Sequence, residues 1–246
     1  MLQHTLTSVL MIAPTSSYSY PACEKKIRSM QCNSCGHIKI FEVGCGIRLC
    51  PDCSHKIARR NAKKYMPYVK TFKKPALLTL TTIRQKRLNF KEIRRQFSMF
   101  RKYYTKMITA AGLYCFETKQ KEDGWHTHIH AIVDSAFYFQ NAISEEWKKA
   151  TGGESYIVDI RRVKTLSALR YMLKYLSKST ELLNQNGAEE YLKASKNQRM
   201  IQTFGKKYGF LCAKPEPLEC EKCHAVDWNF FVDTNFCECD IQYVET

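Results

Sequence analysis

LYCFETKQKEDGWHTHIHAIV (113–133) is the stretch whose reading decides the fold. Two runs of β-favouring residues, 113–119 and 125–133, flank Lys121-Glu122-Asp123-Gly124, and that pattern predicts a β-hairpin. On the second arm His126, His128 and His130 alternate. A strand has a side-chain period of two, so the three imidazoles leave one face while Thr127, Ile129 and Ala131 take the other. Two neutral imidazoles at i and i+2 on a rigid strand form a ready bidentate metal site. A hairpin folded around Gln120 to Gly124 sets Glu117 on the partner strand, opposite the histidines. Two histidines and one carboxylate leave coordination positions open for water and a substrate oxygen, as Lewis-acid chemistry requires. The blander alternative is a structural zinc site, or histidines lining an apolar pocket.

Upstream, PALLTLTTI (75–83) alternates Leu and Thr as a strand does, and FKEIRRQFSMFRKYYTKMI (90–108) carries a helical apolar period with heavy basic decoration. Downstream, a short helix is predicted at 141–150, ending at Gly152-Gly153, then a strand at YIVDIRRV (156–163). TLSALRYMLKYLSKS (165–179) has the pattern of an amphipathic helix. Strand, helix, hairpin, strand and helix in that order predict an α+β domain on an antiparallel sheet, assigned to 71–210. There is no internal repeat and no GxxxxGK[ST] segment, so no P-loop motor is built in.

Tyr171 and Tyr175 are four apart on the last of these helices, so their phenols share a face, with Lys174 and Lys178 bordering it. A phenol with a pKa of about 10 is a poor nucleophile until nearby ammonium groups favour the phenolate. A metal can also make a phosphorus more electrophilic. Tyrosine attack on a phosphodiester would preserve the bond energy as phosphotyrosine without ATP. Core packing of the two rings is the structural alternative.

The chain holds 39 Lys and Arg against 23 Asp and Glu, a net charge of +16 over 246 residues. That surplus attracts a polyanion, and nucleic acid is the leading candidate over a ribosomal or merely basic role. Arg59, Arg60, Lys63 and Lys64 cluster on the helical stretch HKIARRNAKKYMPYVK and are assigned to DNA. No apolar run approaches about 18 residues, so no membrane partner is expected. The apolar stretch Leu6 to Pro14 lacks a preceding basic segment and is not read as a signal peptide. Residues 1–22 are expected to be a poorly ordered lead-in.

Ten of the twelve cysteines sit in two clusters with CxxC spacing, while Cys115 and Cys212 lie apart. Such spacing is metal-ligand geometry, and reduced thiols point to an intracellular, cytoplasmic protein. In a first zinc module, 23–70 with its basic helix, the first choice of ligands is Cys32, Cys35, Cys50 and Cys53. Cys45 and Cys23 are substitutes there, and His37 is in reach. A second module, 211–246, offers Cys220, Cys223, Cys237 and Cys239, with His224 as an alternate. Two structural Zn²⁺ ions are expected, since all-thiolate coordination leaves no open position.

TLT (79–81), HIH (128–130) and YMLKY (171–175), in that order, resemble the HUH endonuclease superfamily, within it the rolling-circle replication initiators (Rep proteins) of plasmids and viruses that carry two motif tyrosines. The resemblance covers about 75–180. It implies a ferredoxin-like, RNA-recognition-type antiparallel sheet with the histidines on a central strand, flanked here by zinc modules. It implies that His128 and His130 ligate catalytic Mg²⁺ or Mn²⁺, with Glu117 completing the set; His126 either replaces Glu117 or sits beside the scissile phosphate. Tyr175 would attack, leaving a 5′-phosphotyrosine and a free 3′-OH primer, and Tyr171 would resolve the covalent protein–DNA linkage. Lys174 and Lys178 fit the YxxKY pattern with its following lysine. The cysteine pattern also resembles the N-terminal zinc module of two-tyrosine transposases, in which Arg48 and the basic helix would grip phosphates.

The resulting expectation is a DNA-nicking and strand-joining endonuclease acting on single-stranded or hairpin DNA at an origin. It would work with a separate helicase and polymerase. A transposase of a mobile element is the alternative within the superfamily, and a conjugative relaxase is disfavoured because its tyrosine precedes the histidines. A non-catalytic zinc-finger regulator is the alternative from another class, but it leaves HxHxH and YxxKY unexplained.

Overall fold

The computed structural model describes residues 20–107, 109–135, 139–164, 182, 184–205 and 217–231. The tyrosine motif (Tyr171, Lys174, Tyr175, Lys178), Cys212, Cys237, Cys239 and most of the lead-in lie outside them.

Two antiparallel sheets organise these residues. The larger has five strands: β3 (Pro75–Thr81), β4 (Thr109–Lys121), β5 (Gly124–Ser135), β6 (Val158–Arg162) and β7 (Ile201–Gly205). Their order is β6-β3-β5-β4-β7, so β5, the histidine strand, is central. The hairpin is longer than the sequence suggests: β4 and β5 stay paired from Thr109↔Ser135 to Lys121↔Gly124. Gly124 closes it at φ +123°, where any side chain would be strained and a Cβ would meet the Gln85 carbonyl at 2.6 Å.

Strand alternation gives this sheet two different faces. Ala76, Leu78, Leu80, Tyr114, Phe116, Ile129, Ala131 and Val133 point one way into the main core. There they meet Phe90, Ile93, Phe97 and Phe100 of α2 (Phe90–Met107), Ile143 and Trp147 of α3 (Gln140–Ala150), and Ala188 and Tyr191 of α4 (Gln185–Ser195). Helix α4 falls in a stretch whose polarity hides it. Asn184 caps it, its side chain accepting from the Gly187 amide at 2.9 Å, and Ala188, Tyr191 and Leu192 supply a narrow apolar stripe.

On the opposite face the basic helix α1 (Pro51–Lys70) packs Tyr68 and Val69 on Leu113, Cys115, Ile132 and Ile201. The buried Tyr68 hydroxyl donates towards the Gly112 and Phe204 carbonyls, at 3.2 and 3.4 Å. Helix α1 covers only one end of this face, and the histidines lie beyond it.

The smaller sheet orders β2 (Ile38–Val43), β1 (Lys26–Cys32) and β8 (Trp228–Phe231). Sequence reading separates an N-terminal cysteine module from a C-terminal one. Here the two share a sheet, because β8 pairs with β1 from Ser29↔Phe231 to Cys32↔Trp228.

Candidate active site and cysteine centres

β3 and β5 pair in a register that sets Thr79 opposite His130 and Thr81 opposite His128. Both threonines alternate onto the histidine face, and their hydroxyls reach the near ring nitrogens. Thr79 Oγ1 is 3.1 Å from His130 Nδ1, and Thr81 Oγ1 is 3.2 Å from His128 Nδ1. With Nδ1 engaged from behind, Nε2 of each ring is the nitrogen left to work in front. Trp147 of α3 holds the end of β3 in place, donating its indole N–H to the Thr81 carbonyl at 2.8 Å. TLT is therefore more than a strand signature: its two-residue period matches that of HIH across the ladder.

On β4, Glu117 pairs in register with His128, and its carboxylate accepts from His130 Nε2 at 2.7 Å. Both side chains of that pair are mostly buried, 12% exposed for Glu117 and 15% for His130. The His130 hydrogen bond holds the Glu117 carboxyl below its ordinary pKa, against the opposing effect of burial. Burial, then the charge of His130, lower the pKa of His128 and favour its neutral, ligating form. The two rings stand with centroids 6.1 Å apart.

His126 is engaged elsewhere. Its Nε2 lies 2.8 Å from Asp123 Oδ1 at the hairpin turn, and Asp123 also pairs with Arg84 at 2.7 Å. Of the two candidates for a third donor, Glu117 is the one that contacts a motif histidine.

The donor set suits a hard divalent cation, with one carboxylate oxygen and two neutral imidazoles on a rigid sheet. Two adjacent ligands about 2.1 Å from one octahedral ion stand about 3 Å apart. The 2.7 Å between His130 Nε2 and Glu117 Oε2 is close to that spacing, so replacing the shared proton by an ion needs a small opening.

The described cysteines form two groups of four, each with its sulfurs within 4.8 Å of one another, and both could hold a metal ion such as zinc. Neither is the grouping that CxxC spacing favours. Cys50 and Cys53 join Cys23 and Cys45, while Cys32 and Cys35 join Cys220 and Cys223. The shortest sulfur separations run from 3.5 to 3.7 Å. A disulfide needs about 2.05 Å. Sulfurs at about 2.3 Å from a tetrahedral Zn²⁺ stand about 3.8 Å apart, so the spacing fits zinc.

Two matching turns from opposite ends of the chain build the second group. Gly36 donates its amide to the Cys32 carbonyl at 2.9 Å, and His224 donates to Cys220 in the same way at 2.9 Å. Gly36 and His224 both sit in left-handed backbone, at φ +71° and +58°. His224 is thus a turn residue beside the thiols, outside the group of four, as is His37. In the first group the amides of Cys45 and Gly46 donate to the sulfurs of Cys23 and Cys53, each at 3.4 Å. A Cβ on Gly44 would lie 2.5 Å from Cys53 Sγ.

The four basic residues assigned to DNA on α1 divide. Arg59, Arg60 and Lys63 are exposed on one arc, and Lys64 lines a cleft on another.

Residues 75–180 match the family model of the replication-associated protein ORF2. The matched span opens at the first residue of β3, carries Thr79, Thr81, Glu117, His128 and His130, and runs through the tyrosine motif. No curated protein and no solved structure matches the chain. The match supports a role in replication initiation, and it contains the whole histidine face.

Proposed function

We propose that this protein initiates rolling-circle replication by nicking one DNA strand at an origin through metal-assisted tyrosine transesterification. The observation that carries the reading is the Glu117–His130–His128 face, backed by Thr79 and Thr81, inside a span that matches a replication-associated family.

His128, His130 and Glu117 would hold Mn²⁺ or Mg²⁺. When bound, the ion supplies positive charge to a phosphate oxygen and makes the phosphorus more electrophilic. Thr79 and Thr81 orient the imidazoles. The Tyr175 phenolate attacks the scissile phosphorus in line and forms the O–P bond of a 5′-phosphotyrosine. The P–O3′ bond breaks, and the departing oxygen takes up a proton to become the free 3′-OH that primes synthesis. Lys174 and Lys178, on the same helix face by spacing, favour the phenolate. Tyr171 then resolves the linkage by a second transesterification, which gives strand joining. The net charge of +16 suits the polyanionic substrate, single-stranded or hairpin DNA, and a separate helicase and polymerase would act with the protein.

The test is cleavage of single-stranded DNA from the protein's own replicon with and without Mn²⁺, using His128→Ala and His130→Ala in parallel. The reading expects Mn²⁺-dependent nicking by the parent and none by either variant at unchanged fold. Equal nicking by all three would overturn it.

A further inference from the structure

A cleft of about 570 Å³ runs between α1 and the start of β7, lined by Arg48, Lys64, Tyr65, Arg199, Gln202 and Thr203 among others. Asn61, Lys64, Tyr65 and Tyr68 fall at i, i+3, i+4 and i+7, so one stripe of α1 turns towards the sheet. Tyr68 is the buried anchor of that stripe, and Lys64 and Tyr65 form one wall of the cleft. The other wall is residues 198–203, fixed from behind where Arg94 Nη2 donates to the Arg199 carbonyl at 2.9 Å.

The lining contains three cationic side chains and no carboxylate, with Asn61, Gln198, Gln202 and Thr203 as neutral hydrogen-bonding groups. Tyr65 adds a ring, and Lys64 Nζ stands 5.3 Å from its centroid. Cations, amides and an aromatic ring in one trough make up the chemistry that follows a single strand: charge for phosphates and a π face for a base. The volume lies within the small-ligand range of about 300–1,000 Å³, which suits a short run of nucleotides and excludes a duplex.

The cleft also leads somewhere. The charge of Arg48 is felt at the Cys115 thiol, and Cys115 is the β4 partner of His130. Arg48 therefore stands between the trough and the histidine face.

We infer that this cleft is a track for single-stranded DNA, in which Lys64, Arg199 and Arg48 hold successive phosphates, Tyr65 stacks on a base, and the strand is fed towards His128 and His130. The inference deepens the nicking reading and rests on it for the choice of DNA as the polymer. It also separates Lys64 from Arg59, Arg60 and Lys63, whose exposed arc faces away from the track.

Anisotropy titration of the full chain against fluorescein-labelled oligothymidylate, over a series of salt concentrations, tests the track. Lys64→Gln with Arg199→Gln is compared with Arg59→Gln with Lys63→Gln, an identical loss of charge on the other arc. The track pair should lower affinity about tenfold or more, and should flatten the slope of log K against log salt by about 1.4, the value for two lost phosphate contacts on a single strand. The outer pair should change the slope by less than half as much. Tyr65→Leu should weaken binding about fivefold with an unchanged slope, since stacking carries no counterion release. Arg48→Gln serves as a third track variant, read only at full zinc content because it lies close to Cys50.

Equal effects from the two pairs, or none from the track pair, would overturn the track. A parent that nicks while the pairs behave alike leaves the nicking reading standing without the track. A parent that binds through the track pair but never nicks does the reverse.

Discussion

Thr79 Oγ1 lies 3.1 Å from His130 Nδ1 across the β3–β5 ladder, while His130 Nε2 meets Glu117 at 2.7 Å. The imidazole is thus gripped on both nitrogens by groups with different abilities. A carboxylate only accepts, so the ring presents Nε2–H to Glu117, and the Thr79 hydroxyl donates to Nδ1. With a cation on Nε2 the proton must move to Nδ1, and the same hydroxyl then accepts it. Threonine serves both states, and valine, of nearly the same shape, serves neither.

Thr79→Val and Thr81→Val should therefore each weaken Mn²⁺ binding about 10- to 100-fold, the usual cost of losing a group that orients a ligand. Thr79→Ser should keep most of the affinity. Titration of Mn²⁺ followed by its electron paramagnetic resonance signal checks this; equal affinities for the serine and valine variants would refute the positioning role.

The cysteine grouping makes a separate claim about stoichiometry. The parent should carry two zinc ions. Cys32→Ser and Cys220→Ser should each lose one ion, and the double variant should still lose only one, because both thiols belong to the same centre. Combining Cys32→Ser with Cys53→Ser should lose both. Metal analysis of the purified variants decides it, and loss of both ions from the Cys32→Ser, Cys220→Ser double variant would restore the grouping suggested by spacing alone.

His224 occupies left-handed backbone at φ +58°, a conformation that costs most residues about 1–2 kcal/mol and glycine almost nothing. His224→Gly should keep both zinc ions and should not lower the melting temperature. Loss of an ion would make His224 a ligand.

Gly112 on β4 leaves room for Phe204, whose ring atoms would stand 2.2 to 2.9 Å from an added Cβ. Gly112→Ala should cost about 1–3 kcal/mol of stability in a urea titration, as overpacking does in a filled core. An unchanged midpoint would mean that the β4–β7 edge yields more easily than its packing implies.

Local pattern carried much of the fold. The turn quartet, the Leu-Thr alternation of β3 and the Gly152-Gly153 stop are signals read within one segment, and each element stands where its period suggests. Sharing of a face by His128, His130 and Glu117 follows from the same period of two. Pairings between distant segments were not legible. Nothing in Cys32-x-x-Cys35 says that its partner turn lies at Cys220, and the nearer CxxC at Cys50 was the natural guess. Likewise β8, four residues long, has no period to read and exists because β1 offers it an edge. The contacts of Thr79 and Thr81 needed a register, which sequence supplies only after the strand order is known. Helix α4 was hidden by its charged surface, though Asn184 ahead of Ala188, Tyr191 and Leu192 was a usable sign.

The central claim is that a tyrosine of this chain becomes joined to DNA. The most direct measurement is a denaturing gel of the protein after incubation with Mn²⁺ and single-stranded DNA of its own replicon, alongside Tyr171→Phe and Tyr175→Phe. The account predicts a protein–DNA adduct with the parent that is lost in Tyr175→Phe. Tight binding with no adduct and no cleavage anywhere on the replicon would contradict it and favour a zinc-stabilised DNA-binding regulator.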